Sequence, residues 1–429
     1  MAPPNLRLVT PNYYLVACRH SNQRKLAPSG PKSMTGEAEI ALLTGGFDKP
    51  YVFGLAMALS SKGVRVDVIA GDDVDSPEMH TAPNLNFLNL RGRKGQANAA
   101  SKAFRLMVYY GRLVRYAATT QSSIFHILWN NKFEFFDRTV LMLYYKLLGK
   151  RIVLTAHNVN AGKRDSNDSL LNRLTLRTQY LLTDHVFVHT ERMKRELLVE
   201  FGMRSDTVSV IPFGINNSVP NTDVTPSEAR RFLGIGEQER VILFFGAIVP
   251  YKGLEYLSDA FLLLAAKCPE YRLIIAGEPR KQSKKYFDNI QRRIIRDVNR
   301  ERIIQRIQYI PDEQTELYFK AADVLALPYT HVFQSGVLFL AYSFGLPVVA
   351  TDVGSVRDEI IEGATGLLCK PRDSFDMAQC FENYFQSDLY KSLASRRKQI
   401  RDYANSKHSW QVVGELTRNV YSKLLTAHK

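Results

Sequence analysis

Short apolar runs alternate with amphipathic stretches along most of the chain, which is the pattern of strands that alternate with helices. The first unit is an apolar strand at residues 38–44, a helix at 51–62 and a second strand at 64–70. A strand, a crossover helix and a further strand predict a parallel sheet with helices on both faces. The alternation restarts with a strand at 240–245, so the chain is predicted to contain two such sheets.

An uncharged stretch of the second half lies between Asp323 and Asp352. It is divided into pieces too short to cross a membrane by two prolines and several polar residues, which are Pro328, Thr330, His331, Gln334, Ser335 and Pro347. We therefore expect a buried unit in which a strand at 324–328, a helix at 337–344 and a strand at 348–351 follow one another.

Gln334, Ser335 and Gly336 stand directly before that helix. The first backbone N–H groups of a helix have no partner within it, and the helix dipole favours an anion there. The pattern therefore predicts a phosphate seat at the carboxyl end of a strand. The alternative is that Ser335 only caps the helix and that the stretch is only core.

A second candidate for anion binding follows the strand at 240–245. Gly246 opens the loop, and Lys252 stands beside Gly253 at the start of the next helix, where it can meet a diphosphate as a point charge. Arg280 and the lysines after it follow the next strand end. They either add to the positive electrostatic potential around Lys252 or form a solvated basic loop.

The first half offers uncharged polar groups at its strand ends. Gly45 and Gly46 follow the first strand, and such a glycine turn lets the backbone approach a ligand. The chain lacks the GxGxxG fingerprint after this strand, which makes a nicotinamide dinucleotide a weak candidate. Asp72 to Asp75 contain an Asp-x-Asp pair, which we interpret as a solvated loop and not as a metal site.

Aromatic, amide and imidazole side chains follow two further strands of the first half. His126, Trp129 and Asn130 end the strand at 124–128, and His157 and Asn158 follow the strand at 151–155. A histidine at this place faces the cleft, where it can titrate or hydrogen-bond a substrate hydroxyl. These groups are typical of a sugar site, although His157 could instead cap its loop.

The net charge of +15 and the pI near 9.5 favour a polyanionic partner. Anionic lipid and phosphorylated substrates fit this charge. A nucleic-acid partner is not expected, since the sequence has no helix-turn-helix, RNP or zinc pattern. The four cysteines have no metal-ligand or disulfide spacing, so we predict no metal and a reduced, cytoplasmic location.

Two basic segments are candidates for contact with a membrane. Residues 1–36 contain no acid and no apolar signal core, and they are predicted to form a flexible basic arm. Residues 102–116 form a basic amphipathic helix, which either lies on an anionic membrane or packs its apolar stripe in the core. We expect peripheral association with the inner face of the cytoplasmic membrane.

Five regions follow from these patterns. They are the arm at 1–36, an acceptor domain at 37–216, a Pro, Ser and Thr-rich linker at 217–238, a nucleotide-sugar domain at 239–390, and C-terminal helices at 391–429. The functional names of the two domains depend on the following resemblance.

Seven motifs together resemble the retaining GT-B glycosyltransferases of family 4, from about residue 37 to the C-terminus. They are LTGG (43–46), TAHNV (155–159), VIPFGIN (210–216), FG (245–246) with KG (252–253), AADV (321–324) with PY (328–329), GLPVVAT (345–351) and GATGLL (363–368). The resemblance implies an α/β GT-B fold of two Rossmann-like domains facing across a cleft. It also implies a nucleotide-sugar donor held mainly by the second domain, an acceptor held by the first, no metal, no cofactor, and a last helix that crosses back to the first domain.

Three positions depart from the family pattern. Ala247 stands where an arginine usually follows the loop glycine, so that Lys252 alone matches the diphosphate pair. Phe333 and Leu340 stand where the family has two glutamates, one that contacts the donor sugar and one that contacts the ribose. The variant with Gln-Ser-Gly in this loop is expected to bind the diphosphate more through backbone amides.

We therefore expect a hexosyltransferase that acts on a polysaccharide or on a polyprenyl-linked oligosaccharide of the cell envelope. Lys252 and the amides at Ser335 and Gly336 would stabilise the departing diphosphate. His157 would orient the donor sugar or the acceptor. The alternatives are a non-catalytic binding subunit of the same fold, and an epimerase or phosphorylase.

Overall fold

The computed structural model describes residues 39–46, 48–92, 99–131, 133–164, 168–215, 219–332 and 335–426. The basic arm at 1–36 and two residues of the phosphate loop, Phe333 and Gln334, lie outside the described residues.

Seven parallel strands form the first sheet in the described part of the chain. They are β1 (Glu39–Leu43), β2 (Arg65–Ala70), β3 (Leu85–Asn89), β4 (Ile124–Ile127), β5 (Arg151–Thr155), β6 (His185–Val188) and β7 (Val208–Val210). Their order across the sheet is β3-β2-β1-β4-β5-β6-β7. The order reverses between β1 and β4, and ligands of such sheets bind outside the strand ends at this point.

Helices cover both faces of the first sheet. They are α1 (Lys49–Ser61), α2 (Pro77–Thr81), α3 (Ala99–Thr119), α4 (Glu134–Phe136), α5 (Met142–Leu147), α6 (Ala161–Arg164), α7 (Leu170–Leu182) and α8 (Glu191–Phe201). A π-helical turn at Asp137–Leu141 joins α4 to α5. Buried side chains of α3, α5, α7 and α8 pack on one face of the sheet, and those of α1 pack on the other.

Six parallel strands form the second sheet within the described ranges. They are β8 (Arg240–Phe245), β9 (Tyr271–Ala276), β10 (Ile303–Arg306), β11 (Val324–Leu327), β12 (Val348–Thr351) and β13 (Gly366–Cys369). Their order is β10-β9-β8-β11-β12-β13, so the reversal falls between β8 and β11. The buried strand, helix and strand expected at 324–351 are present.

Ten helices follow in the described second half of the chain. They are α9 (Pro226–Leu233), α10 (Leu254–Lys267), α11 (Lys284–Arg296), α12 (Asp312–Ala321), α13 (Gly336–Ser343), α14 (Val356–Glu359), α15 (Ser374–Gln386), α16 (Asp388–Lys391), α17 (Leu393–His408) and α18 (Trp410–Thr426). Short 3₁₀ turns occur at Ser205–Thr207, Pro250–Lys252, Lys281–Ser283 and Arg300–Arg302.

The predicted linker at 217–238 belongs in part to the core of the second domain. α9 packs on α12, and Ala229 and Leu233 are buried in the same cluster as β8. The guanidinium of Arg230 donates to both carboxylate oxygens of Asp323, at 2.8 and 2.9 Å, and both side chains are buried. A polar composition hides this packing because the buried residues lie on one face of a short helix.

The last helix crosses back from the second domain to the first. α17 packs on α13, whereas α18 packs on α1. Trp410, at the start of α18, donates its indole N–H to the carbonyl of Ile215 at 2.9 Å. No helix among the described residues is long and apolar enough to span a bilayer.

Two strands differ from the expectation. The sequence pattern also predicts a strand at residues 307–310, but the strand forms at β10, because α11 ends at Arg296 and a 3₁₀ turn leads directly into pairing with β9. The pattern does not predict β3, which is a half-buried edge strand with a polar residue at every second or third place.

Candidate functional site

A pocket of about 310 Å³ lies between the two sheets at their carboxyl ends. We call it the cleft pocket. Its second-domain wall contains Lys252, Ser335, Gly336 and Leu340, and its first-domain wall contains Tyr51 after β1. Both walls therefore come from the places where ligands bind to open parallel sheets.

Lys252 is a buried cation, with 8 % of its surface exposed. Burial, followed by the positive charge of Arg280, lowers the pKa of Lys252 from its ordinary 10.5 to about 8. Its nearest hydrogen-bond acceptor in the described residues is the carbonyl of Phe245 at 3.5 Å, and no carboxylate there pairs with it. A buried charge of this kind is costly unless an anion compensates it.

The loops after β8 and β11 hold Lys252 in place. The backbone N–H of Thr330 donates to the carbonyl of Tyr251 at 2.8 Å, which joins the two loops. Gly253 has a φ of +65°, and a Cβ at this residue would lie 2.0 Å from the carbonyl oxygen of Pro328. Only glycine therefore permits this approach.

Ser335 and Gly336 begin α13 on the same wall of the pocket. Ser335 is buried and its hydroxyl is hydrogen-bonded to Tyr329 at 2.8 Å, so its side chain does not cap the helix. The first amides of α13 therefore have no side-chain cap from this residue. Gly246 lies next to this group, since a Cβ there would be 2.9 Å from the Lys252 ammonium and 3.7 Å from Val337.

A second pocket, of about 500 Å³, opens beside β4 and β5. We call it the side pocket. Trp129, Asn130, His157 and Asn158 line it from the first domain, and Arg280 lines it from the second. Four of the predicted sugar-site residues are thus brought together.

His157 is held by aromatic and imidazole neighbours. Its ring stacks on Trp129 with centroids 4.1 Å apart, and Tyr51 meets it edge-on at 4.7 Å. Its Nδ1 is 3.1 Å from Nε2 of His189, whose Nδ1 lies 3.2 Å from the carbonyl of Ile211. These contacts form a chain from the backbone to His157.

The chain of contacts determines the protonation of both rings. Burial lowers the pKa of His189 to about 4, and burial and His189 lower the pKa of His157 well below 6.5, so both are neutral. A carbonyl only accepts, so Nδ1 of His189 is protonated and its Nε2 accepts from Nδ1 of His157. Nε2 of His157 is therefore a bare acceptor, and it is buried without a partner in the described residues.

Two expectations about these histidines need correction. His126 does not line either pocket, because it is fully buried with Nδ1 bonded to Tyr421 at 2.6 Å and Nε2 to Thr155 at 2.7 Å. It lies within β4 and points toward α18, one residue before the end of the strand. His157 does line a pocket, but its lowered pKa excludes titration near neutral pH.

The glycine turn after β1 packs against protein groups. A Cβ at Gly45 would lie 2.7 Å from the carbonyl of Trp129, and one at Gly46 would lie 2.7 Å from the guanidinium of Arg91. Arg91 also donates to the carbonyl of Gly45 at 2.5 Å. The two glycines thus place β4 and Arg91 close to the turn and are not among the lining residues of either pocket.

The departures from the family pattern have different outcomes. Leu340 lines the cleft pocket and is buried, so it offers no acceptor to a ribose hydroxyl. Phe333 and Gln334 lie outside the described residues. The sequence gives Arg280 only as one residue of a basic loop, and it gives no signal for His189. Their roles depend on contacts between distant loops.

Within the described ranges, no group of three or more His, Cys, Asp or Glu side chains is placed to hold a metal ion.

Models of two sugar-transfer domains match the chain. "Glycosyltransferase Family 4" matches residues 50–219, and "Glycosyl transferases group 1" matches residues 239–387. The first match covers the first sheet apart from β1, and the second covers all six strands of the second sheet.

Individual relatives agree with the domain models. A D-inositol 3-phosphate glycosyltransferase of Corynebacterium efficiens is 24 % identical over 390 residues, which are 88 % of this chain and 90 % of the relative. A protein of the same name from a Mycobacterium species is 25 % identical over 370 residues, 82 % of this chain and 80 % of the relative.

Solved structures share the fold. Sucrose-phosphate synthase of Thermosynechococcus elongatus gives a TM-score of 0.72 at 20 % identity and covers 91 % of this chain and 100 % of that one. Anabaena HepE in complex with UDP-glucose gives 0.69 at 17 % identity, over 91 % of this chain and 99 % of that one. With a family 4 domain in its first half and a group 1 domain in its second, the chain is a glycosyltransferase with the GT-B fold.

Proposed function

We propose that this enzyme is a retaining hexosyltransferase that uses a nucleotide-diphosphate sugar and acts on a polysaccharide or a polyprenyl-linked oligosaccharide. One observation carries the proposal: Lys252 is a buried cation without a carboxylate partner in the described residues, and it shares a pocket with the start of α13. A diphosphate supplies the missing negative charge and accepts from the helix amides.

In the proposed reaction, the bond between the sugar anomeric carbon and the diphosphate oxygen breaks, and a bond to the acceptor oxygen forms on the same face. The acceptor proton moves to the departing diphosphate. Lys252 and the amides of Ser335 and Gly336 stabilise the negative charge that develops there. No protein nucleophile and no metal ion is needed in this scheme.

Arg280 is proposed to replace the cation that Ala247 lacks. It lines the side pocket, and its charge is close enough to Lys252 to lower the pKa of that ammonium. It therefore stands between the two pockets, where the sugar would be transferred. Leu340 leaves the ribose without a carboxylate partner at this position, so donor affinity depends more on the diphosphate.

The side pocket is proposed to bind the transferred sugar or the acceptor. Nε2 of His157 can accept from a hydroxyl, and the amide of Asn158 can donate and accept. The amide of Asn130 is paired in both directions with Gln179, which holds it at the pocket wall. A buried acceptor without a donor costs about 1 to 3 kcal/mol, which a bound hydroxyl would recover.

We further propose a cytoplasmic enzyme that associates peripherally with the membrane that carries its acceptor. The net charge of +15 supports an anionic surface as a partner. Nucleic acid is not proposed as a ligand.

The test is a calorimetric titration of UDP, GDP and ADP, with and without magnesium, against the wild type and Lys252→Met. We expect one nucleoside diphosphate to bind without magnesium and the variant to lose this binding. Lys285→Met is the matched control, because Lys285 is exposed on the same domain. Failure of all three nucleotides to bind the wild type would contradict the donor assignment.

The stereochemical part needs a separate measurement. The anomeric configuration of the product, read by NMR from the coupling at the anomeric carbon, should equal that of the donor. Inversion would refute the retaining mechanism and leave the diphosphate site intact.

A further inference from the structure

Large apolar side chains are exposed together on one side of the first domain. They lie on three neighbouring helices, and we call them the apolar face: Met107 of α3, Leu143 and Leu147 of α5, and Leu170, Leu174 and Leu181 of α7. Leu147, Leu170 and Leu181 are 85 %, 79 % and 72 % exposed. Exposed leucines at positions 170, 174 and 181 of one helix, with further ones on its neighbours, exceed singly scattered apolar residues and indicate a site of interaction.

The three helices form one layer. The hydroxyl of Tyr144 on α5 donates to the carbonyl of Val114 on α3 at 3.1 Å. Arg138, in the π-helical turn before α5, donates to Asn172 of α7 at 2.9 Å. The opposite sides of the same helices are buried on the sheet, so the exposed leucines are not displaced core residues.

Positive charge is concentrated in the same part of the chain. Residues 79–182 contain 16 lysines and arginines against 4 aspartates and glutamates, a net charge of +12 out of +15 for the whole chain. No acid occurs between residues 79 and 133. On α7, Arg177 is seven residues from Leu170 and four from Leu181, and thus on the same side of the helix.

We infer that the apolar face is a docking surface for an anionic lipid bilayer. Leucines that enter the boundary between headgroups and acyl chains remove apolar area from water, and the surrounding cations meet the anionic headgroups. A second copy of the chain fits less well, because two such faces would bring positively charged regions of the same sign together.

The docking surface is also next to the side pocket. Arg138 of the π-helical turn and Gln179 and Tyr180 of α7 line that pocket from the inside of the same layer. Docking would therefore hold the side pocket beside the membrane surface. The benefit for a lipid-linked acceptor rests on the proposed function, whereas docking itself does not.

The first test is flotation of the full-length protein with vesicles of phosphatidylcholine, alone or with phosphatidylglycerol. We expect binding to the anionic vesicles that weakens as salt is raised. Replacing Leu170, Leu174 and Leu181 together by Ser should weaken that binding on the order of 100-fold. The matched control replaces Phe232, Ile295 and Val298 by Ser, which removes exposed apolar groups of the second domain and should leave binding unchanged.

Charge is tested separately with Arg177→Gln combined with Arg115→Gln, which removes an exposed cation of α3 eight residues from Met107. Two cations near an anionic surface are together worth roughly a 30-fold change in binding, which should disappear on neutral vesicles. Unchanged melting temperature and nucleotide binding would show that each variant is folded. The basic arm is the same in all variants and cannot produce the difference between them.

A gain of signal complements the losses. Leu174→Trp should shift its emission to the blue on anionic vesicles and be quenched by brominated lipid, whereas Val298→Trp should show neither change. The inference is refuted if the triple Ser variant floats like the wild type. It is also refuted if sedimentation shows that the wild type is a dimer and that the triple Ser variant is a monomer. Binding of the wild type to an acidic protein but not to anionic vesicles would refute it as well.

Discussion

The two sheets present different chemistry at equivalent ends. Beyond β1, β4 and β5, the first sheet carries Tyr51, Trp129 and a neutral His157, and Asp48 also lines the cleft pocket. Beyond β8 and β11, the second sheet carries the buried cation Lys252 and the start of α13. The strand ends alone do not distinguish the domains, because both sheets are parallel and both reverse their strand order in the middle.

The difference lies in what each end lacks. Lys252 lacks a negative charge, and Nε2 of His157 lacks a hydrogen-bond donor. A diphosphate corrects the first and a sugar hydroxyl corrects the second. Under the proposed function, the two domains of the shared α/β scaffold would divide between them the recognition of one nucleotide sugar, or of a donor and its acceptor.

Removal of the Lys252 cation is expected to have the largest effect. Lys252→Met keeps the volume and the apolar stem, and we expect the turnover number to fall by about 100- to 1,000-fold because charge on the leaving diphosphate loses its stabilisation. Steady-state kinetics with the donor identified by titration would measure it. A variant that lost affinity for donor but kept its turnover number would show that Lys252 only binds.

The same residue predicts a rise of stability with pH. The pKa of Lys252 is about 8 in the folded protein against an ordinary 10.5, so between these values the unfolded chain binds more protons. Stability therefore increases with pH across this window, by roughly 3 kcal/mol in total, and is lowest below pH 8. Denaturant titrations of the nucleotide-free enzyme should show this increase in the wild type minus Lys252→Met difference.

Nucleotide binding should cancel the effect. A bound diphosphate favours the ammonium form, so the saturated enzyme should lose the rise between pH 8 and 10.5. A difference curve that is flat without nucleotide would mean that water or an acid outside the described residues already compensates Lys252.

These results separate what sequence patterns can predict from what they cannot. Two parallel sheets were predictable from local signals, since apolar strands, helix stops and glycine turns are local, and most strands lie within a residue or two of their expected place. The GT-B arrangement was implied by the family resemblance. Lys252, Ser335 and Gly336 share one pocket because they follow neighbouring strands. Periodicity predicted the strand ends that these residues follow.

Side-chain direction was harder to predict. His126 and His157 both stand near a strand end in the sequence. His126 is still inside β4, where its side chain points to Tyr421 of α18, whereas His157 lies beyond the end of β5. Arg280 and His189 gained their positions from contacts between loops far apart in the chain. The polar composition of residues 219–238 also did not predict that part of this segment is buried. Its Arg230 forms a buried ion pair with Asp323, which directly precedes β11.

A third variant tests the first sheet alone. His157→Phe keeps an aromatic ring against Trp129 but removes the acceptor nitrogen, so we expect kcat/KM to fall about 10- to 100-fold, the worth of one hydrogen bond to substrate. UDP or its equivalent should bind as in the wild type, because the diphosphate is held by the other sheet. The control is His185→Phe. His185 begins β6, at the end of the sheet away from both pockets, and its ring is hydrogen-bonded to Ser209.

The smallest expected effect concerns Arg280, which lies between the side pocket and Lys252. Because Arg280 lines the side pocket and yet lowers the pKa of Lys252, Arg280→Gln should raise that pKa and weaken nucleotide-sugar binding by about tenfold. The pH at which the stability difference begins should move upward with it. Arg306→Gln, an exposed arginine at the end of β10, is the matched control. If Arg280→Gln changes only the KM of the acceptor, Arg280 belongs to the first sheet's function, and Lys252 with the α13 amides binds the diphosphate without a second cation.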